Sequence, residues 1–148
     1  MNNASKTGKN SHKRIAVSGE VTAQLKFSGS ADREFKTELI EFSDHDDDTH
    51  ANVHATHEVE NQSPQHIVIG VPRTVMKDEY DIAPLGSGPG KAWAELKSRY
   101  NGNARSGKLT NVKWDKEKRT LSGRFAFQGM DAFERNFSAE DGEFSITY

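Results

Sequence analysis

Apolar residues recur at every second position from residue 15 to residue 27, with polar residues between most of them. A period of two is typical of a strand that buries one face. Gly19 is the one gap in this apolar stripe, and a glycine at such a place indicates a β-bulge. The pattern therefore predicts a first strand that begins near Ile15 and is irregular near Gly19.

A second strand is predicted over residues 34–42, EFKTELIEF, after the turn sequence SGSAD. Its apolar positions change phase between the pair Phe35 and Leu39 and the pair Ile40 and Phe42. A bulge explains this change, and so does a strand that is buried on both faces. The segments ANVHATHEVE and HIVIGV follow after short polar connections, so residues 34–71 are predicted to form a meander of hairpins.

Pro72 ends this meander, and the glycines and prolines of PLGSGPG predict an irregular loop. The next segment, KAWAELKSRY, fits a short helix and a strand equally well, and its neighbours favour a strand. The runs KLTNVKW and RTLSGRFAF predict a hairpin joined by DKEK. Its predicted inward or paired residues are Leu109, Trp114, Leu121, Phe125 and Phe127. GEFSITY predicts the last strand.

These segments predict an all-β fold of about seven or eight short strands with at most one short helix. Two architectures remain open, a single sandwich and a partly closed antiparallel barrel. The length of 148 residues suits one β domain over residues 15–148. Residues 1–14 offer little to bury, and we expect them to form a disordered basic tail.

The chain contains no run that approaches the roughly 18 apolar residues of a membrane-spanning helix. Its first residues, MNNASKTGKNSHKR, lack the apolar core of a secretory signal. We therefore expect a cytoplasmic protein, with the cell envelope as the alternative if a leader was removed before residue 1. The chain has no cysteine, which excludes disulfides, thiolate metal sites and cysteine nucleophiles.

The C-terminal sequences GKLTNVKWDKEKRTLSGRFAF and DGEFSITY resemble the ending of small bacterial β-sandwich or barrel domains of uncharacterised function. Many of those domains are lipoproteins. The resemblance covers about the last forty residues and implies the same all-β class. It provides no functional residues to transfer, and the lipobox cysteine of such lipoproteins is absent from this chain.

Residues 44–60, DHDDDTHANVHATHEVE, place four of the six histidines among six carboxylates. Imidazole and carboxylate groups suit divalent metals, so a metal-binding protein is one hypothesis. The candidate ligands are Asp46, Asp48, His50, His54, His57 and His66.

The strand prediction separates these histidines. His50 and His54 share one face of a strand, whereas His57 points to the opposite face. His66, on the following strand, can still pair with His54 or His57. The alternative interpretation is an acidic loop with a polar strand face, which keeps the protein soluble and prevents edge-to-edge pairing. A cofactor other than a divalent metal is not expected.

The net charge of -2 hides a local asymmetry. Residues 32–60 carry ten acids and two bases, whereas residues 91–124 carry ten bases and three acids. Basic residues interleaved with Trp93, Tyr100 and Trp114 suit a groove for single-stranded nucleic acid. The alternative is that the two segments lie close together and offset each other's field.

No GxSxG, HExxH or Walker sequence is present, and no nucleophile and base pair can be named. We therefore expect a non-catalytic binding or interaction module and not an enzyme. Its ligand is expected to be a protein or peptide at a strand edge, or a small molecule. The candidate ligand-binding residues are Trp93, Tyr100, Trp114, Arg124 and Phe125. The alternative role of these aromatic residues is the hydrophobic core.

Overall fold

The computed structural model describes residues 15–44, 49–73, 76–98 and 101–148, so the tail predicted over residues 1–14 lies outside the described part of the chain. The described residues form ten strands and no helix, and within them no helix could cross a membrane. The strands are β1 (Ile15–Phe27), β2 (Arg33–Thr37), β3 (Ile40–Ser43), β4 (His50–His57), β5 (Gln65–Pro72), β6 (Tyr80–Ile82), β7 (Trp93–Lys97), β8 (Asn101–Asp115), β9 (Thr120–Asp131) and β10 (Asn136–Thr147).

Eight of these strands form a closed antiparallel barrel. Each barrel strand pairs with the next one along the chain, and β10 closes the barrel by pairing with β1. The short strand β2 pairs with residues 21–25 of β1, whereas β3 pairs with residues 15–17 of β1. The short strand β6 pairs with β8. The all-β prediction is confirmed, and the architecture is a closed barrel, not a sandwich. Closure leaves the barrel strands without free edges.

The change of phase in the second predicted strand coincides with an irregular register. Val17 pairs with Ile40 and Val21 pairs with Thr37, so four steps along β1 match three steps along its neighbour. Gly19 lies within this irregular stretch. The Thr37 hydroxyl donates a hydrogen bond to the Thr56 carbonyl at 2.5 Å and accepts one from the Leu39 amide at 3.0 Å. The bulge therefore explains the phase change, and Leu39 points to solvent.

Large and small side chains complement each other inside the barrel. A Cβ built on Gly102 would lie 2.2 Å from the Phe137 ring, and one built on Gly142 would lie 2.3 Å from the Phe125 ring. Only glycine leaves room for these rings. Alternation of this kind fills the interior of a small barrel with side chains.

Three aromatic residues close one end of the barrel. The Trp114 Nε1 group donates a hydrogen bond to the Tyr148 hydroxyl at 2.8 Å, and the Phe42 ring lies 4.4 Å from the Tyr148 ring between centroids. The Arg119 guanidinium stacks over Tyr148 at 4.8 Å from the ring centroid. This end of the barrel is therefore filled with side chains. We call Phe42, Trp114 and Tyr148 the aromatic plug.

The undecided segment at residues 91–100 is a strand over Trp93–Lys97. The predicted β8–β9 hairpin is present, with Trp114 paired to Leu121. However, β8 begins at Asn101, seven residues before the predicted KLTNVKW segment. Its first half is polar and rich in glycine, so the hydrophobic pattern there is weak.

Candidate ligand site at the open end of the barrel

A cavity of about 560 Å³ occupies the end of the barrel opposite the aromatic plug. The connections β1–β2, β4–β5, β7–β8 and β9–β10 all lie at this end. Phe27, Leu96 and Phe137 contribute apolar surface. The polar lining residues are Ser28, Ser30, Arg33, Asn61, Gln62, Ser63, Gln65, Ser98, Asp131 and Arg135. We call this cavity the mouth site.

Gln65 is the buried polar residue of the mouth site. It precedes Ile67 and Ile69 at a spacing of two, which directs its side chain to the inner face of β5. The residue is 2% exposed and lines the cavity. No hydrogen bond joins its side-chain amide to another described residue. An amide group is thus available at the inner edge of the cavity.

His57 lies beside Gln65 on the inner face, because the two residues are paired across β4 and β5. The imidazole meets the Phe35 ring edge-on, with centroids 5.4 Å apart. Its Nδ1 atom is buried and has no hydrogen-bond partner among the described residues. This end of the barrel interior therefore contains two adjacent polar side chains.

The charges at the rim of the mouth site are unequal. Arg135 forms an ion pair with Asp131, with Nε and Nη2 each 2.9 Å from Oδ2. Burial raises the pKa of Asp131, but hydrogen bonds from the amides of Arg135 and Phe133 and from the Arg135 guanidinium lower that pKa overall. The carboxylate thus remains ionised and holds the β9–β10 turn.

Arg33 provides a second cation at the rim. Its Nη1 atom donates a hydrogen bond to the Gln62 Oε1 atom at 3.3 Å. Within the described residues, no carboxylate forms an ion pair with this guanidinium. The rim therefore carries a second guanidinium besides that of the Asp131–Arg135 ion pair.

The structure does not bring the predicted ligand-binding residues together. Phe125 lies in the core, Trp114 lies in the aromatic plug, and Trp93 packs on the outer wall. Arg124 is on the outer face, 3.3 Å from Glu143. Tyr100 lies outside the described residues. The mouth site is lined by other residues, and counting back by two from Ile67 is the signal that could have identified Gln65.

Of the two pairings left open for His66, the structure has the one with His54: His54 Nε2 and His66 Nδ1 are 3.1 Å apart. His50 makes separate contacts, with Nε2 2.6 Å from the Lys91 carbonyl oxygen. His57 faces inward, as the strand alternation predicts. Among the described residues, no three histidine or carboxylate side chains cluster in a way that could hold a metal. Asp46 and Asp48 lie outside those residues.

The basic segment is partly neutralised by acids close to it. Lys108 and Lys91 both contact Asp81, at 2.6 Å and 3.3 Å, and hydrogen bonds from Lys108 and then Lys91 lower the pKa of Asp81. Lys97 lies 3.6 Å from Glu95. Asp81 and Glu95 lie outside residues 32–60. These ion pairs therefore do not join the two charged segments that were predicted to offset each other.

Comparison with known proteins adds no relative: no family model, no curated protein and no solved structure matches the chain significantly. The resemblance of the C-terminal residues to small bacterial domains therefore stays a prediction.

Proposed function

We propose that this protein is a non-catalytic binding module that holds a small molecule in the mouth site. One observation carries this proposal: Gln65, a polar residue that is 2% exposed, lines a cavity of about 560 Å³. The amide offers both a donor and an acceptor to a ligand in this cavity.

The lining indicates the chemistry of the ligand. Arg33 provides a guanidinium at the rim, and a guanidinium recognises carboxylate and phosphate oxygens through paired hydrogen bonds. Phe27, Leu96 and Phe137 offer apolar contact beside it. The volume falls within the roughly 300–1,000 Å³ typical of small-molecule sites. We infer that the ligand is a small organic anion with a partly apolar body.

The state of Asp131 supports binding more than catalysis. Its side chain accepts hydrogen bonds from two backbone amides and from Arg135. A carboxylate with a lowered pKa and its acceptor positions occupied is a poor general base. The residue acts instead as an anchor for the turn that carries Arg135.

The test is a screen of small carboxylates and phosphates by ligand-observed NMR, followed by calorimetry on the compounds that bind. We expect Arg33→Gln and Gln65→Leu each to weaken binding at least tenfold. Arg124→Gln is the matched control, because it removes an arginine from the outer wall. Thermal unfolding of each variant checks the fold, and Gln65→Met replaces Gln65→Leu if the leucine variant unfolds. Equal affinity in all variants, or no binding by any compound, contradicts the proposal.

A further inference from the structure

A pair of histidines lies on the outer wall of the barrel, away from the mouth site. His54 and Thr56 alternate with the core residues Val53 and Ala55, so both point outward from β4. His66 lies opposite Thr56 on β5. His54 and His66 are therefore diagonal neighbours on one face, and their rings meet edge-on with centroids 5.2 Å apart.

The separation of the two ring nitrogens matches that of two ligands on one metal ion. The distance from His54 Nε2 to His66 Nδ1 is 3.1 Å. Metal–imidazole bonds of about 2.0–2.1 Å, at ligand angles between those of square-planar and tetrahedral sites, place two nitrogens roughly 2.9–3.4 Å apart. We propose that His54 and His66 form a two-histidine chelate for a divalent transition metal.

Binding of the metal requires a change of tautomer. In the contact between the two rings, one of the facing nitrogens carries the shared proton, whereas a metal needs a lone pair on both. That proton moves through solvent to the far nitrogen of the same ring, so two neutral imidazoles bind without net proton release. The Thr56 hydroxyl, 3.1 Å from His66 Nδ1, turns away at the same time.

Charged residues on the two neighbouring strands lie close to the pair. Glu41 lies opposite His54 on β3, and Glu95 lies opposite Val68 on β7, both on the outer face. Lys97 lies opposite His66 on β7, and its ammonium is 3.6 Å from Glu95. Among the described residues no third histidine or carboxylate joins the two histidines. Two imidazoles favour Cu²⁺ over Ni²⁺ and Zn²⁺, and they disfavour Ca²⁺.

The test is calorimetric titration of the full chain with Cu²⁺, Ni²⁺ and Zn²⁺ near neutral pH. We expect His54→Asn and His66→Asn each to weaken Cu²⁺ binding at least tenfold, and Cu²⁺ electron paramagnetic resonance to report two imidazole nitrogens. His45→Asn is the matched control, because it removes a histidine from the acidic stretch at residues 44–48. We expect Thr56→Val to retain or increase the affinity, because it removes a competing hydrogen bond.

Two results would overturn the proposal. One is metal binding that survives in both His54→Asn and His66→Asn and is lost in His45→Asn. The other is no binding at millimolar metal by the folded chain. His66→Gln serves as a second variant if His66→Asn does not fold. Binding should also weaken as the pH falls below the ordinary imidazole pKa of about 6.5.

Discussion

The indole of Trp93 covers Gly70 on the outer wall, where the two residues are paired across β7 and β5. A Cβ built on Gly70 would lie 2.1 Å from the Trp93 Nε1 atom, so only glycine leaves room for the ring. Although Trp93 is outside the barrel, it is only 8% exposed. Its role is to pack against the wall, and its ring offers little open surface for stacking a base.

We expect Gly70→Ala to destabilise the protein by about 1–3 kcal/mol, because the added methyl group displaces the indole. Urea unfolding measures the loss, and tryptophan fluorescence should shift as Trp93 becomes more exposed. Gly90→Ala is the matched control, since a Cβ at Gly90 meets nothing within 4 Å. Equal stability of the two variants would show that the close contact is not a constraint.

The bulge at Thr37 supports a second prediction. Thr37→Val preserves the shape of the side chain but removes its hydrogen bonds to the Thr56 carbonyl and the Leu39 amide. Because these groups are partly buried, we expect a loss of about 1–3 kcal/mol in the free energy of unfolding. Thr22→Val, on the outer face of β1, should change stability little. A Thr37→Val protein as stable as Thr22→Val would contradict this role.

The aromatic plug is testable through the hydrogen bond between Trp114 and Tyr148. We expect Tyr148→Phe to reduce stability by about 0.5–1.5 kcal/mol, because the Trp114 Nε1 group loses its acceptor. A double-mutant cycle with Trp114→Phe isolates the pairwise free energy. If the two substitutions are additive, the hydrogen bond does not stabilise the plug.

Asp131 makes stability depend on pH in the acid range. Its pKa in the folded chain is lowered, so its contribution is fully present above its unfolded pKa of about 3.9 and is lost as the pH falls through the lower folded value. Between about pH 5 and pH 2, the free energy of unfolding measured in urea should therefore fall more steeply for the original chain than for Asp131→Asn. Arg135→Gln should lie between them, because it leaves both amide hydrogen bonds in place. Identical slopes for all three proteins would remove this explanation.

Much of the fold and a small part of the mouth site could be predicted from local pattern. Alternation by twos identified most of the barrel strands, and it correctly placed His57 on the face opposite that of His54. It also directs Gln65 inward, but it does not show that this position borders a cavity. The pattern failed at the start of β8, where Gly102 faces inward because the Phe137 ring fills its space from β10.

The sequence by itself determined most of the strands, the buried face of each and the β8–β9 hairpin. These properties depend on residues a few positions apart, and the two-residue period of an extended chain expresses them directly. Only the tertiary structure decided that Ser18 on β1 pairs with Thr147 on β10 and thereby closes the barrel. Closure depends on twist and bulges summed over every strand. That sum also decided which end is plugged by Trp114 and Tyr148, and which end leaves Gln65 and Arg33 at an open cavity.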